Sequence, residues 1–182
     1  TTTSYAPGTL NTSTTYHWQI TATDGTSTTV GSVWSFITAS GATTPSNCTT
    51  FDSTDTPMTL LDPGAVTSTL AVASNFTISD VNVTLNISHT YDSDLTVSLS
   101  APDGTQAMLF SSVGGDGAGF IDTVLDDEAS TPIASGTAPF TGQFIPTESL
   151  SAFDGKSSNG DWRLVVSDAV ALDSGTLNHW QL

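Results

Sequence analysis

The chain has 182 residues, with 18 Asp and Glu against two basic side chains, Lys156 and Arg163, for a formal net charge of −16. That balance repels nucleic acid and anionic membrane surfaces and counts against both as partners. Charged residues are only 11% of the chain and hydrophobic ones 37%, so it is no acidic disordered tail and can bury a core.

The surface must then be mostly Thr, Ser, Asn and Asp, which suits an extracellular β protein and supplies oxygen ligands for a hard cation. Cys48 is the sole cysteine, so no disulfide closes within the chain, and it reads as a lone thiol beside a linker. No apolar run approaches the ~20 residues that cross a bilayer, which argues against membrane insertion. No signal peptide is recognisable, so a longer, secreted parent protein is an expectation from composition.

In chain order, residues 1–39 are β in character. Tyr16, Trp18 and Ile20 alternate with His17 and Gln19, Asp24-Gly25 marks a turn, and Val33-Trp34-Ser35-Phe36 resumes the pattern. Two such runs around a turn predict a hairpin. Leu10 followed by Tyr16, with the closing Val33 to Thr38 run, resembles the end of a fibronectin type III module with its tyrosine corner. Residues 40–50 are small, polar and punctuated by Pro and Gly, as in a linker.

The rest, residues 51–182, forms the second expected domain. Leu60 to Gly64 enters a turn, and strands are expected at 69–72, 76–78 and 81–87. Leu95, Val97 and Leu99 alternate with Thr96, Ser98 and Ser100 before Ala101-Pro102-Asp103-Gly104 turns the chain. Ser111 to Ser130 is Gly-rich and reads as a loop, and Ser130 to Phe140 as a loop over the sheet edge. Trp162, Leu164 and Val166 share a strand face, and Leu177 and Trp180 begin the last strand. No helical periodicity is sustained, so the expected class is all-β, an antiparallel sandwich.

Five pieces occur in order: His89-Thr90, Asp94-Leu95, Pro102-Asp103-Gly104-Thr105, Gly160 to Asp168, and Gly175-Thr176-Leu177-Asn178-His179-Trp180, with Gly142 to Gly155 between. Over about residues 48–182 the chain resembles the P domain (P/Homo B) that follows the catalytic domain of proprotein convertases and is appended to many secreted bacterial proteases. The resemblance implies a jelly roll. It also implies a non-catalytic module that packs beside a serine-type or metalloprotease domain of the same polypeptide, stabilises it and tunes its calcium and pH dependence.

The residues themselves offer little catalysis. His17, His89 and His179 are the only histidines, and no nucleophile elbow, zinc helix, phosphate loop or Cys/His zinc spacing occurs. His89 reads as a strand-end histidine holding backbone, and Trp162 and Trp180 as core. Calcium is the sharper expectation. Asp116, Asp122, Asp126, Asp127 and Glu128 lie on the Gly-rich loop, where carboxylates and bent backbone together suit a six- to eight-oxygen shell. Asp92 and Asp94 form a second candidate, Asp94 reading first as a turn-stabilising carboxylate; Asp168 and Asp173 read as turn caps.

The function expected is therefore a P domain of a secreted protease, itself not an enzyme, with calcium as its cofactor. The alternative is an adhesion or assembly module of a cell-surface protein or extracellular filament. There the hairpin would complete its sheet with neighbouring β modules or another subunit.

Overall fold

The structure, a computed structural model, describes residues 14–37 and 48–182. Leu10 of the tyrosine corner and most of the 40–50 linker lie outside the described residues. The chain divides into two compact units between Thr49 and Thr50.

In the first unit β1 (Thr15–Thr23) and β2 (Thr28–Ile37) form an antiparallel hairpin. Asp24 makes the turn by accepting the N–H groups of Thr26 and Ser27 on Oδ1, at 2.9 and 2.7 Å. The Ser27 bond, then the Thr26 bond, hold its carboxyl below the ordinary value. The alternation predicted from sequence places aromatic pairs across the strands: Tyr16 stacks on Phe36 at 5.8 Å, and Trp18 meets Trp34 at 4.6 Å.

The second unit is a jelly-roll sandwich. One sheet is ordered β4 (Gly64–Val72), β10 (Gly160–Asp168), β6 (Leu95–Ser100), β7 (Gln106–Ser111). The other runs β3 (Met58–Thr59), β11 (Gly175–Gln181), β5 (Val83–His89), β8 (Phe120–Leu125), β9 (Phe140–Phe144). Short 3₁₀ turns occur at Asp92–Asp94, Ile133–Ser135 and Leu150–Phe153. Alternation puts Leu95, Val97, Leu99, Trp162, Leu164 and Val166 on the inner face of the first sheet, all buried. Val83, Leu85, Ile87, Leu177 and Trp180 answer from the second. Each such side chain contributes about 1.5–3 kcal/mol relative to leaving it in water.

The buried indoles are also satisfied. Trp162 Nε1–H donates to the Ser158 carbonyl at 2.9 Å, and Trp180 Nε1–H to Ser68 Oγ at 2.6 Å. The motif glycines have packing reasons. A Cβ on Gly160, at φ +128°, would stand 2.6 Å from Pro102, and one on Gly175 would stand 2.4 Å from the His89 ring.

The structure corrects the sequence reading in three places. Residues 76–78 are not a sheet strand: Thr77 makes one bridge to Ser157, and the segment pairs with the 155–158 loop through Ile78 and Phe76. Ile78 is nevertheless buried in the core cluster.

The Ser111–Ser130 stretch is not all loop, because β8 lies inside it, between β5 and β9. Its alternation was hidden by an irregularity in the β5–β8 register, where Asp122 takes φ +47° and leaves both Ile121 and Asp122 facing outward. Finally, the sandwich is not wholly antiparallel. β8 and β9 run parallel, with Phe120 opposite Phe140, and the rings of Phe110, Phe120 and Phe140 stack in series at 4.4 and 4.7 Å.

Candidate metal centre

Where β8 ends, Asp126-Asp127-Glu128 turns the chain, and the three carboxylates separate in role. Asp127 reaches the 3₁₀ turn at Leu150–Phe153. It accepts the N–H groups of Leu150 and Ser151 at 3.0 and 2.9 Å, and the Ser149 hydroxyl also donates to it. Burial acts to raise the Asp127 carboxyl, but the Ser149, Leu150 and Ser151 bonds together outweigh it and leave it below the ordinary value. Asp127 is thus a cap supplied from a distant loop.

Asp126, only 8% exposed, accepts the Glu128 N–H on Oδ1 at 2.8 Å. Its carboxyl also lies against that of Glu128. The shared hydrogen bond, then burial, then the charges of Asp80 and Asp126 raise Glu128. Asp80 is raised by burial and by Asp126, with smaller repulsion from Asp154 and Asp127. Neighbouring negative charge thus favours the protonated form of Glu128 and of Asp80.

Asp80 and Asp154 were missed in the sequence. Each reads there as an ordinary turn residue, and only the fold brings the loop before β5 and the loop after Phe153 to the end of β8.

The other expected ligands lie elsewhere. Asp122 accepts from Asn86 Nδ2 at 2.9 Å on the outer face of the second sheet. Asp116 is exposed in the tight turn closed by the Gly117 N–H to Gly114 carbonyl bond, at 3.0 Å. The buried, turn-stabilising role expected of Asp94 falls to Asp92, which the 3₁₀ turn carries inward. It is Asp92 that is buried and accepts the Gly119 N–H, at 2.8 Å on Oδ1, while its Oδ2 has no hydrogen-bond partner. Burial raises its carboxyl, against the Gly119 bond and the nearby His89, so the group is held toward its neutral acid.

Asp94 is raised by burial and then by Asp173, Asp168 and Asp62. Among the described residues, no three His, Cys, Asp or Glu side chains are already grouped as a metal site. Asp80, Asp126 and Glu128 offer carboxylate oxygens, the donor type a hard cation takes.

His89 is engaged on both ring nitrogens. Nε2 lies 3.0 Å from Asp168 Oδ2 in a fully buried pair, and Nδ1 lies 2.9 Å from the Tyr91 carbonyl and 3.2 Å from the Tyr91 N–H. Asp168 Oδ1 also accepts the Val170 N–H at 3.1 Å. A shallow cleft beside the ring is lined by Thr59, Ser88, Thr90, Ser174 and Thr176. Thr90 Oγ1 there donates to Asp173 at 2.8 Å. Both ring nitrogens are thus engaged by Tyr91 and Asp168 rather than by any of these hydroxyls.

Residues 78–182 match the family described as Proprotein convertase P-domain. The chain is 33% identical over 129 residues to the transglutaminase-activating metalloprotease of Streptomyces mobaraensis, covering 70% of this chain and 14% of that protein. It is 32% identical over 120 residues to leupeptin-inactivating enzyme 1 of Streptomyces exfoliatus, covering 62% of this chain and 22% of that one. A calcium-dependent protease of Trichormus variabilis is 34% identical over 110 residues, 59% of this chain and 14% of its own length.

Among solved structures, the serine protease of Aeromonas sobria in complex with its chaperone aligns with a TM-score of 0.45 and 20% identity, over 73% of this chain and 25% of that one. The chain thus spans between a seventh and a quarter of the proteins it matches. No described helix is long and apolar enough to cross a membrane.

Proposed function

Since the chain belongs to the proprotein convertase P-domain family, we propose that it is a non-catalytic module of a secreted protease that stabilises the catalytic domain of the same polypeptide. The observation that carries this is the family match over 78–182, joined to relatives that are themselves named as proteases. The engaged His89 supports a structural role for the module. The relatives include a metalloprotease, so the catalytic class belongs to the partner domain.

Calcium binding is part of the same reading. A relative named as a calcium-dependent protease supports it, and so does the neighbouring negative charge that raises Asp80 and Glu128. Calcium would be held by Asp80, Asp126 and Glu128 with backbone oxygens of the turn, and would neutralise charges that otherwise repel. Asp127 is assigned to capping.

Thermal melting in EDTA and in millimolar Ca²⁺ tests the site. At a hundredfold excess over Kd, binding adds about 2.7 kcal/mol, or roughly 5–10 °C for a domain of this size. The gain should vanish in Asp126→Asn/Glu128→Gln. An unchanged melting temperature in the wild type sinks the site. For the protease assignment, the full-length gene product in culture medium should degrade casein and be blocked by phenylmethylsulfonyl fluoride or by phenanthroline; an inert full-length product rejects it.

A further inference from the structure

Among the described residues one buried side-chain oxygen has no hydrogen-bond partner, Asp92 Oδ2. The residue is 0% exposed, so surface water does not satisfy that oxygen. Its carboxyl is enclosed by the Gly-rich turn that leads into β8. The Asp92 N–H donates to the Gly117 carbonyl and the Ser93 N–H to the Gly115 carbonyl, each at 3.1 Å. The Gly119 N–H returns to Asp92 Oδ1 at 2.8 Å.

The turn closes on this carboxyl too tightly for side chains. A Cβ on Gly114, at φ +84°, would stand 3.1 Å from Asp92 Cβ and 2.7 Å from the Phe140 ring. One on Gly117 would stand 2.4 Å from Ala138 Cβ. What the turn presents to Asp92 is therefore backbone. The Gly114, Gly115 and Gly117 carbonyls each accept one N–H here, and each keeps a second lone pair.

No fixed positive charge compensates the buried group. The one titratable side chain that acts on Asp92 is His89, itself paired with Asp168 at 3.0 Å. Neither Asp94 nor Asp116 acts on it, so this is a single carboxylate and not an acidic cluster. One buried carboxylate oxygen without a partner, set among backbone carbonyls, is the donor set of a hard cation that completes its shell with water.

We propose that Asp92 Oδ2 and backbone carbonyls of the 114–119 turn hold a calcium ion, in a site separate from the one at the end of β8. The turn precedes β8 and Asp126 follows it, so six residues at about 3.3 Å each set the two sites roughly 20 Å apart. The proposal does not rest on the site at Asp80, Asp126 and Glu128. With one carboxylate in place of three, the Asp92 site is the weaker of the two. Low ligand charge places its dissociation constant in the range of extracellular modules, about 10⁻⁴–10⁻³ M. A protonated Asp92 with no ion is the competing account, and calcium separates the two.

The test is a calcium titration of the EDTA-stripped, ¹⁵N-labelled 182-residue chain, repeated on Asp92→Asn and on Asp126→Asn/Glu128→Gln. The amide signals of Gly114, Gly115, Gly117 and Gly119 should move and saturate, with a midpoint of about 10⁻⁴–10⁻³ M. They should do the same in Asp126→Asn/Glu128→Gln and stay fixed in Asp92→Asn. Asp92→Asn retains an oxygen for the Gly119 N–H, so the turn keeps its tie. The side-chain carboxyl ¹³C signal of Asp92 in the wild type reads the site without any substitution, and should follow the same saturation curve at neutral pH.

Glycine amides that stay fixed in the wild type, or that move in Asp92→Asn as well, overturn the site. So does a carboxyl signal that calcium leaves at the position of a protonated acid. Movement that is lost in Asp126→Asn/Glu128→Gln overturns it in favour of one site at the end of β8. Movement at the glycines with none at Asp126 and Glu128 upholds this site and rejects the other.

Discussion

The hairpin and the sandwich use the same alternating pattern and end with opposite burial. Trp18 and Trp34 face each other across β1 and β2, and each is 47% exposed; Trp162 and Trp180 occupy equivalent alternating positions and are all but sealed. The difference is the second layer. In the sandwich two sheets cover each other's inner faces, whereas the described residues of the hairpin set their rings in cross-strand pairs. Cross-strand aromatic contact contributes about 0.5–1.5 kcal/mol, against about 3–5 kcal/mol lost when a buried Trp is cut to Ala.

The sharpest way to break the comparison is therefore to replace one tryptophan of each kind. Trp162→Ala should lose about 3–5 kcal/mol in urea unfolding, because it also orphans the Ser158 carbonyl and the Phe153 ring that meets it edge-on at 5.2 Å. Trp18→Ala should abolish the far-ultraviolet exciton couplet of the Trp18–Trp34 pair and cost about 1 kcal/mol or less. Equal losses in the two variants would show that the hairpin's aromatic face is as deeply covered as the core.

A medium effect is expected at the distant cap. Asp127→Asn keeps the shape of the side chain and removes the charge that gathers the Ser149, Leu150 and Ser151 donors. It should cost about 1–2 kcal/mol in chemical denaturation. A loss below a few tenths would mean that the turn at Leu150–Phe153 needs no carboxylate.

These outcomes bear on how far the sequence could be read. The strands at Leu95 and at Trp162 were legible because their alternation is unbroken and bounded by Pro-Asp-Gly and by Asp168. β8 was not, since the irregularity at Asp122 turns two successive residues outward and erases the period. Its parallel partner β9 was beyond reach for another reason: the pairing crosses a Pro- and Gly-bearing connection that carries no strand signal of its own. At the site, Asp126 and Glu128 stood out as a run, yet Asp80 lies 46 residues upstream of Asp126, a juxtaposition only the tertiary fold creates. The sequence flagged Asp92 and Asp94 together, and their places in one 3₁₀ turn left Asp92 as the buried one.

Acid titration separates the two kinds of carboxylate. Asp80, Asp92, Asp94 and Glu128 are raised in the fold, so between their unfolded values, 3.8 for Asp and 4.5 for Glu, and their higher folded values the native state binds more protons. Without calcium, stability should therefore rise as pH falls from neutrality toward that range. Asp127, Asp24 and Asp103 are lowered, so the stability they contribute is complete above 3.8 and is lost as pH falls through their folded values. The melting temperature in EDTA should thus pass through a maximum in mild acid. If calcium binds as proposed, saturating calcium should flatten the neutral side, because a cation offsets the negative charges that raise Asp80 and Glu128. A curve that falls steadily from neutrality in EDTA would show that the raised carboxyls have compensating partners.

The smallest effect is expected where sequence alone suggests a large one. In a chain of −16, Lys156 is one of two basic side chains, and its ammonium meets Asp103 Oδ2 at 2.7 Å. Its hydrogen bond, then those from Thr105, hold the Asp103 carboxyl down to about 2. Both partners stand in solvent, where water and salt screen the attraction and long side chains lose rotamer freedom on pairing. Lys156→Met keeps the stem and removes the charge, and should change unfolding free energy by less than about 1 kcal/mol at physiological salt. The Asp103 signal in a carboxylate NMR titration should nonetheless climb toward 3.8 without fully reaching it, because the Thr105 N–H still donates to Asp103 Oδ1 at 2.9 Å. A loss of several kcal/mol would mean that the deficit of positive charge makes this exposed pair a structural tie between the turn after β6 and the loop before β10.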